Sequence, residues 1–95
     1  MKIRWTTPAA RALEEIVDHI ADENAQAAYR VAGRIRTMVN RLAEHPRSGR
    51  KGRVRGTLEL VIPGLPFIVP YRIKGNEVQI LSVYHSSRKW PETFD

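Results

Sequence analysis

The side chains best equipped for chemistry lie in the second half of the chain: Arg72 inside an apolar run, His85 and Arg88 just after the last such run, and Glu59 ahead of them. Around them is a basic set, Arg47, Arg50, Lys51, Arg53 and Arg55 on one side and Lys89 with Trp90 on the other. These types suit metal-free cleavage of RNA. One group must take a proton from the 2′-hydroxyl, another must protonate the leaving 5′-oxygen, and cations must offset the charge of the phosphorane. An imidazole titrates nearest neutrality, so His85 is a candidate acid or base, with Arg72, Arg88 and Glu59 as the other candidate catalytic residues. The basic set and Trp90 are candidates for nucleic-acid binding.

Each of these residues also has a plainer reading. Arg72 suits a cross-strand ion pair with Glu59 or Glu77. His85 suits a bond to a backbone carbonyl at a strand end, and Trp90 a plug that seals the sheet edge. Ser86 and Ser87 adjoin His85, but sequence neighbours rarely point at each other, so a Ser-His nucleophile pair is not expected. The three histidines lack metal-site spacing, and no Gly-rich phosphate loop is present. Neither a metal nor a cofactor is expected.

The elements that must position these groups follow from the pattern. Thr57 to Trp90 holds three runs rich in Val, Ile, Leu and aromatics, separated by Pro63-Gly64 and Gly75-Asn76, which predicts an antiparallel meander. Alternation puts Phe67, Val69, Tyr71 and Ile73 on one face of the middle strand and Ile68 with Arg72 on the other. Pro70 cannot donate to a ladder and predicts an edge position or a bulge. Ahead of the meander, Lys2 to Thr6 reads as a first strand. Thr7-Pro8 reads as a helix start, and Leu13, Ile16, Val17 and Ile20 as a stripe running to about Asp22. His19 falls on the wet side of that helix. Asn24 recaps the chain, and Ala28 through Leu42 keeps helical spacing up to Pro46, giving an antiparallel helix hairpin. Pro46 to Gly56 reads as a mobile loop. The expected fold is a single two-layer α+β domain over residues 1–95, with both helices on one face of a mostly antiparallel sheet.

Composition narrows the function classes. The net charge is +6, and positions 29–56 carry nine Arg or Lys against Glu44 alone, which implies an anionic partner. Most of the cations are arginine, the residue suited to two-toothed recognition of phosphate or carboxylate. There is no cysteine, which excludes a disulfide scaffold and fits a reducing cytoplasm. No run approaches the apolar length of a membrane span, and no apolar targeting region stands at the N-terminus. A soluble cytoplasmic protein is expected.

The succession HPRSGRKGRVRGTLELVIPGLPFIVPYRIKGNEVQILSVYHSSRKWP resembles the C-terminal half of the RelE/ParE family of bacterial type II toxins, and the strand and helix hairpin before it resemble the rest. The most specific pieces are Gly49-Arg50, Tyr71-Arg72, and His85 with Arg88. The resemblance implies a growth-inhibiting toxin, associated with plasmid stabilization, that a cognate acidic antitoxin holds inactive in a hetero-oligomer. It also implies one of two targets. RelE-like members cut mRNA on the ribosome with basic residues on and after the sheet, whereas ParE-like members poison DNA gyrase and are not nucleases. Ribosome-dependent endoribonuclease (mRNA interferase) action is the expectation placed first, narrowly ahead of gyrase inhibition. A third is an antitoxin-binding protein without toxicity. The C-terminus, Trp90 to Asp95, lacks the tyrosine or histidine that assists cleavage in several RelE-like members.

Overall fold

The computed structural model describes residues 1–94; Asp95, the end of the C-terminal run noted above, lies outside the described residues. Strand β1 (Lys2–Trp5) leads into helix α1 (Thr7–Ala21), and helix α2 (Ala25–Asn40) follows, ending in a 3₁₀ turn at Arg41–Ala43. The remaining strands are β2 (Arg50–Lys51), β3 (Leu58–Val61), β4 (Phe67–Lys74), β5 (Glu77–Ile80) and β6 (Tyr84–His85). They form one mixed sheet in the order β1-β5-β4-β3-β2, with β6 pairing β4 beyond the end of β5. All pairs are antiparallel except β1 with β5. The predicted α+β fold, with a helix hairpin between a first strand and a meander, is therefore present. Two short strands are added, β2 at the β3 edge of the meander and β6 beside β4.

The helix boundaries have local causes. Thr6, one residue earlier than expected, caps α1: its hydroxyl accepts the Ala9 N–H at 3.3 Å and donates to the Ile80 carbonyl at 2.6 Å. The cap thus ties the start of α1 to the end of β5. Pro8 lies in the first turn, where the helix does not use its missing N–H. Asn24 caps α2 as predicted, accepting the Ala27 N–H at 3.0 Å. That helix stops short of Pro46, because its last turn tightens into the 3₁₀ turn and the Met1 ammonium donates to the Ala43 carbonyl at 2.7 Å.

The core lies between the hairpin and one sheet face. Ala9 and Leu13 of α1 and Ile35 and Val39 of α2 pack with Leu60, Val69, Tyr71, Val78 and Ile80. Each such aliphatic side chain contributes about 1.5–3 kcal/mol on full burial. Phe67, Val69, Tyr71 and Ile73 share this face, and Arg72 takes the outer one, as alternation predicts.

Pro70 is in a central strand, so an edge position is excluded and the bulge is observed. Tyr71 pairs Ile80 on β5, whereas Ile68 pairs Tyr84 on β6, so three residues, Leu81 to Val83, stand opposite two. The Leu81 N–H donates to the Pro70 carbonyl at 2.9 Å, which shows that the N-side of Pro70 also faces this bulge and not β3. A ladder residue without a donor is tolerated where the partner strand has slipped.

The run from Pro46 to Gly56 departs from the predicted mobile loop. Arg50 and Lys51 pair Glu59 and Leu58 as β2. The Gly52 N–H donates to the Thr57 carbonyl at 2.9 Å, and the Thr57 hydroxyl donates to Val54 at 2.6 Å. Polar composition predicts a loop, but Glu59 supplies partners that the sequence pattern does not assign.

Candidate functional site

Register places the polar groups of the outer face in rows, because residues opposite one another across a ladder share a face. One row runs Arg4, Gln79, Arg72 across β1, β5 and β4, and the next runs Lys2, Glu77, Lys74. A third pairs Pro70 with Glu59 and Glu59 with Arg50.

Arg72 is half-buried and donates through Nε to Gln79 Oε1 at 2.8 Å. Gln79 Nε2 in turn donates to Glu77 Oε1 at 2.6 Å, and Arg4 Nε lies 3.2 Å from the same oxygen. The hydrogen bond from Gln79 comes first in holding the Glu77 carboxyl below its ordinary value; partial burial opposes it and the charges of Arg4 and Lys2 assist. Arg72 thus makes neither of the ion pairs considered from the sequence and reaches Glu77 only through Gln79. Its Nε edge is fixed while its Nη edge forms no bond among the described residues, which suits it to hold an anion or a carbonyl at the surface.

Glu59 is 2% exposed in the middle of this face. Arg50 donates to Oε1 through Nε and Nη2 at 3.1 and 3.0 Å. Arg53 donates to Oε2 through its backbone N–H at 2.7 Å and its Nε at 3.1 Å. Burial pushes the carboxyl up, but the backbone and side chain of Arg53 together with Arg50 outweigh it and hold Glu59 below its ordinary value. Its acceptor positions are filled, so Glu59 organises the loop and has no lone pair open to a substrate proton.

Trp90 closes the other side of this cluster. The Arg53 guanidinium lies 3.9 Å from the indole centroid, and the Tyr84 ring packs on Trp90 at 4.7 Å. Arg88 lies over Tyr84 at 5.5 Å. The indole therefore plugs the sheet surface, with its faces engaged by protein groups. Arg47, Lys51, Arg55 and Lys89 are exposed and make no ion pair among the described residues, whereas Arg50 and Arg53 of the same basic set are turned inward onto Glu59.

His85 stands apart. It pairs with Phe67, so it shares the helix-covered face and not that of Arg72. Its ring meets Phe67 edge-on at 5.8 Å and shares a shallow hollow with Glu15 and His19 of α1. Phe67 is five residues from Arg72, on the order of 17 Å along the strand. Contrary to expectation, a serine does reach this histidine: Ser87 donates its N–H to Nδ1 at 3.2 Å, and its hydroxyl lies 2.7 Å from the same nitrogen. The turn after β6 folds Ser87 back. The structure thus joins Glu59, Arg50, Arg53 and Trp90, and leaves Arg72, His85 and Arg88 unassembled.

A surface only partly legible in the sequence, where the narrow apolar stripe of α1 implies an exposed flank, lies between the helices. Trp5, Leu13, Val17, Ala28 and Ala32 line an open apolar groove, and beside it Tyr29 is 84% exposed. The small residues at Ala25, Ala28, Ala32 and Gly33 keep the groove open, and the exposed aromatic was legible only as an apolar residue off the α2 stripe. No group of three or more His, Cys, Asp or Glu among the described residues is placed to hold a metal, and no helix there is long and apolar enough to cross a membrane.

The comparisons agree with one another. The family model for the ParE toxin of the type II toxin–antitoxin system parDE matches residues 3–90. The provisionally named toxin Y4kP of Sinorhizobium fredii is 48% identical over 91 residues, covering 96% of this chain and 94% of that protein. The toxin RelE2 of Caulobacter vibrioides is 31% identical over 87 residues, covering 92% and 97%. A solved structure of the chromosomal ParDE toxin–antitoxin system from P. aeruginosa superposes with a TM-score of 0.81 at 32% identity, covering 90% of this chain and 95% of that one. The fold, the match along almost the whole chain and these relatives establish that the chain belongs to the RelE/ParE family of toxins from type II toxin–antitoxin systems.

Proposed function

We propose that this toxin arrests growth by binding its target, with DNA gyrase as the target class that the ParE branch implies, and not by cutting mRNA. One observation carries this reading: the groups that would move protons lie apart from the cation that would stabilise a phosphorane. His85 is on the opposite face of the sheet from Arg72, and Glu59 is saturated by Arg50 and Arg53. General acid–base work needs its group within hydrogen-bond reach of the reacting atoms, directly or through one water. A binding inhibitor needs only a complementary surface, and the half-buried, edge-on Arg72 provides a fixed donor for one.

An acidic antitoxin would silence the toxin by covering the hairpin groove beside Tyr29 and part of the sheet, because a charged segment that folds on binding can wrap a large area and be removed by proteolysis. The test is induced expression with DNA supercoiling and translation measured separately. Loss of supercoiling activity with translation initially intact is the expected result. His85→Gln, which leaves the Arg72 donor in place, should keep inhibition within a few-fold of the parent. A nuclease would instead lose on the order of 10² or more in rate with its proton-transfer group. A large loss, together with cleaved mRNA in the parent, would return the reading to ribosome-dependent cleavage.

A further inference from the structure

Helix α2 has a groove on each flank, and the one away from α1 has a different character. Arg30, Arg34 and Arg41 line it, and Val31, Met38 and Leu65, the last from the β3–β4 connection, form its floor. The spacing of four and then seven residues sets the three arginines along about 16 Å of the helix. No carboxylate lines this groove, and none of the three arginines makes an ion pair among the described residues. Among the described residues the one side-chain hydrogen bond of Arg41 runs to Met38 Sδ, at 3.5 Å. The Arg34 guanidinium lies beside Gly64, whose φ of +76° makes the turn that brings the connection up to the helix.

Three like charges along one face repel one another, so the free groove is electrostatically complementary to an anionic occupant. Its floor decides which kind. The residues lining it include no aromatic on which a base could stack, and an aliphatic floor gains nothing from phosphate or sugar. It does favour aliphatic side chains, while arginines bind carboxylates in two-toothed fashion. We infer that this groove takes an acidic amphipathic peptide segment of the partner protein, with carboxylates set against Arg30, Arg34 and Arg41 and aliphatic residues on Val31, Met38 and Leu65. This places a second contact on the toxin, separate from the apolar groove between the helices. It rests on the reading above only in calling that partner an antitoxin.

The probe is a labelled helical peptide carrying Glu at spacings of four and seven residues with Leu between them. It is titrated against the full chain beside a scrambled peptide of the same composition and a single-stranded oligonucleotide of similar charge. The patterned peptide is expected to bind about tenfold or more tighter than either control. Arg34→Glu, an exposed helix position, should lower that affinity on the order of tenfold or more, because a like charge then faces the peptide. Leu65→Ser should weaken the peptide and leave the oligonucleotide unchanged, with circular dichroism confirming the fold of both variants. Equal binding of the scrambled peptide, preference for the oligonucleotide, or indifference to Arg34→Glu would each overturn the inference. Growth arrest without antitoxin is scored separately, so a failure of the proposed target leaves the peptide result standing, and the reverse.

Discussion

Glu59 decides what the outer face can do, because two arginines and a backbone N–H already fill its carboxylate. It therefore acts on stability, and the sign of its pH dependence follows from its lowered pKa. A carboxyl held below its ordinary value of 4.5 stabilises the fold above that value and loses the contribution as pH falls through the folded value. Chemical denaturation of the parent should accordingly show stability falling as pH drops below about 4.5, and Glu59→Gln should flatten that part of the fall. Near neutrality the same substitution should cost about 1.5–3 kcal/mol, the range for hydrogen bonds to a charged group, as Arg50 and Arg53 remain partly solvated. A pH profile identical in parent and variant would remove Glu59 from this role.

Among the elements, β4 carries the most consequence. Its Tyr71 is fully buried, and burial pushes the phenol up, so the hydroxyl stays protonated and donates to the Pro46 carbonyl at 2.8 Å while accepting the Gly49 N–H at 2.9 Å. One side chain thus pins the start of the basic loop to the sheet. Tyr71→Phe should cost about 1–3 kcal/mol by leaving both backbone groups unpaired, measured as a shift in denaturation midpoint. Gly49 is confined by the same contact: an added Cβ would stand 2.5 Å from the Tyr71 hydroxyl and 2.8 Å from the Glu59 carbonyl. Gly49→Ala should therefore destabilise by about 1–3 kcal/mol, the usual penalty of overpacking, and raise amide exchange at Arg50 to Arg53. Unchanged exchange there would mean that β2 does not depend on this approach.

At the scale of the whole molecule, two unlike grooves flank one helix, apolar toward α1 and cationic toward the β3–β4 connection. An exposed aromatic beside an apolar groove has the composition of a binding anchor, and anchors of that type carry 2 kcal/mol or more in many interfaces, roughly a thirtyfold change in affinity. Tyr29→Asp should weaken the antitoxin complex by about that amount in a titration, and complex formation should slow amide exchange across both helices. Retained affinity would place the antitoxin elsewhere.

Several features of this protein followed from the order of its residues alone. Period-2 and period-3.6 patterns, capping Asn24 and the punctuation at Pro63-Gly64 and Gly75-Asn76 specify the strands, the hairpin and which side of β4 Arg72 takes, because these depend on neighbours a few residues apart. The family was legible for the same reason, in continuous motifs. Other features depended on groups brought together from distant positions. The parallel pairing of β1 with β5, the slip opposite Pro70, and the inward turn of Arg50 and Arg53 onto Glu59 are set by register and by burial of one carboxylate. Alternation within a strand cannot say that His85 pairs with Phe67, since the bulge shifts the count by one and sends the imidazole to the face opposite Arg72. That single slip, a long-range consequence of a proline without a donor, separates a site that looked contiguous in the sequence.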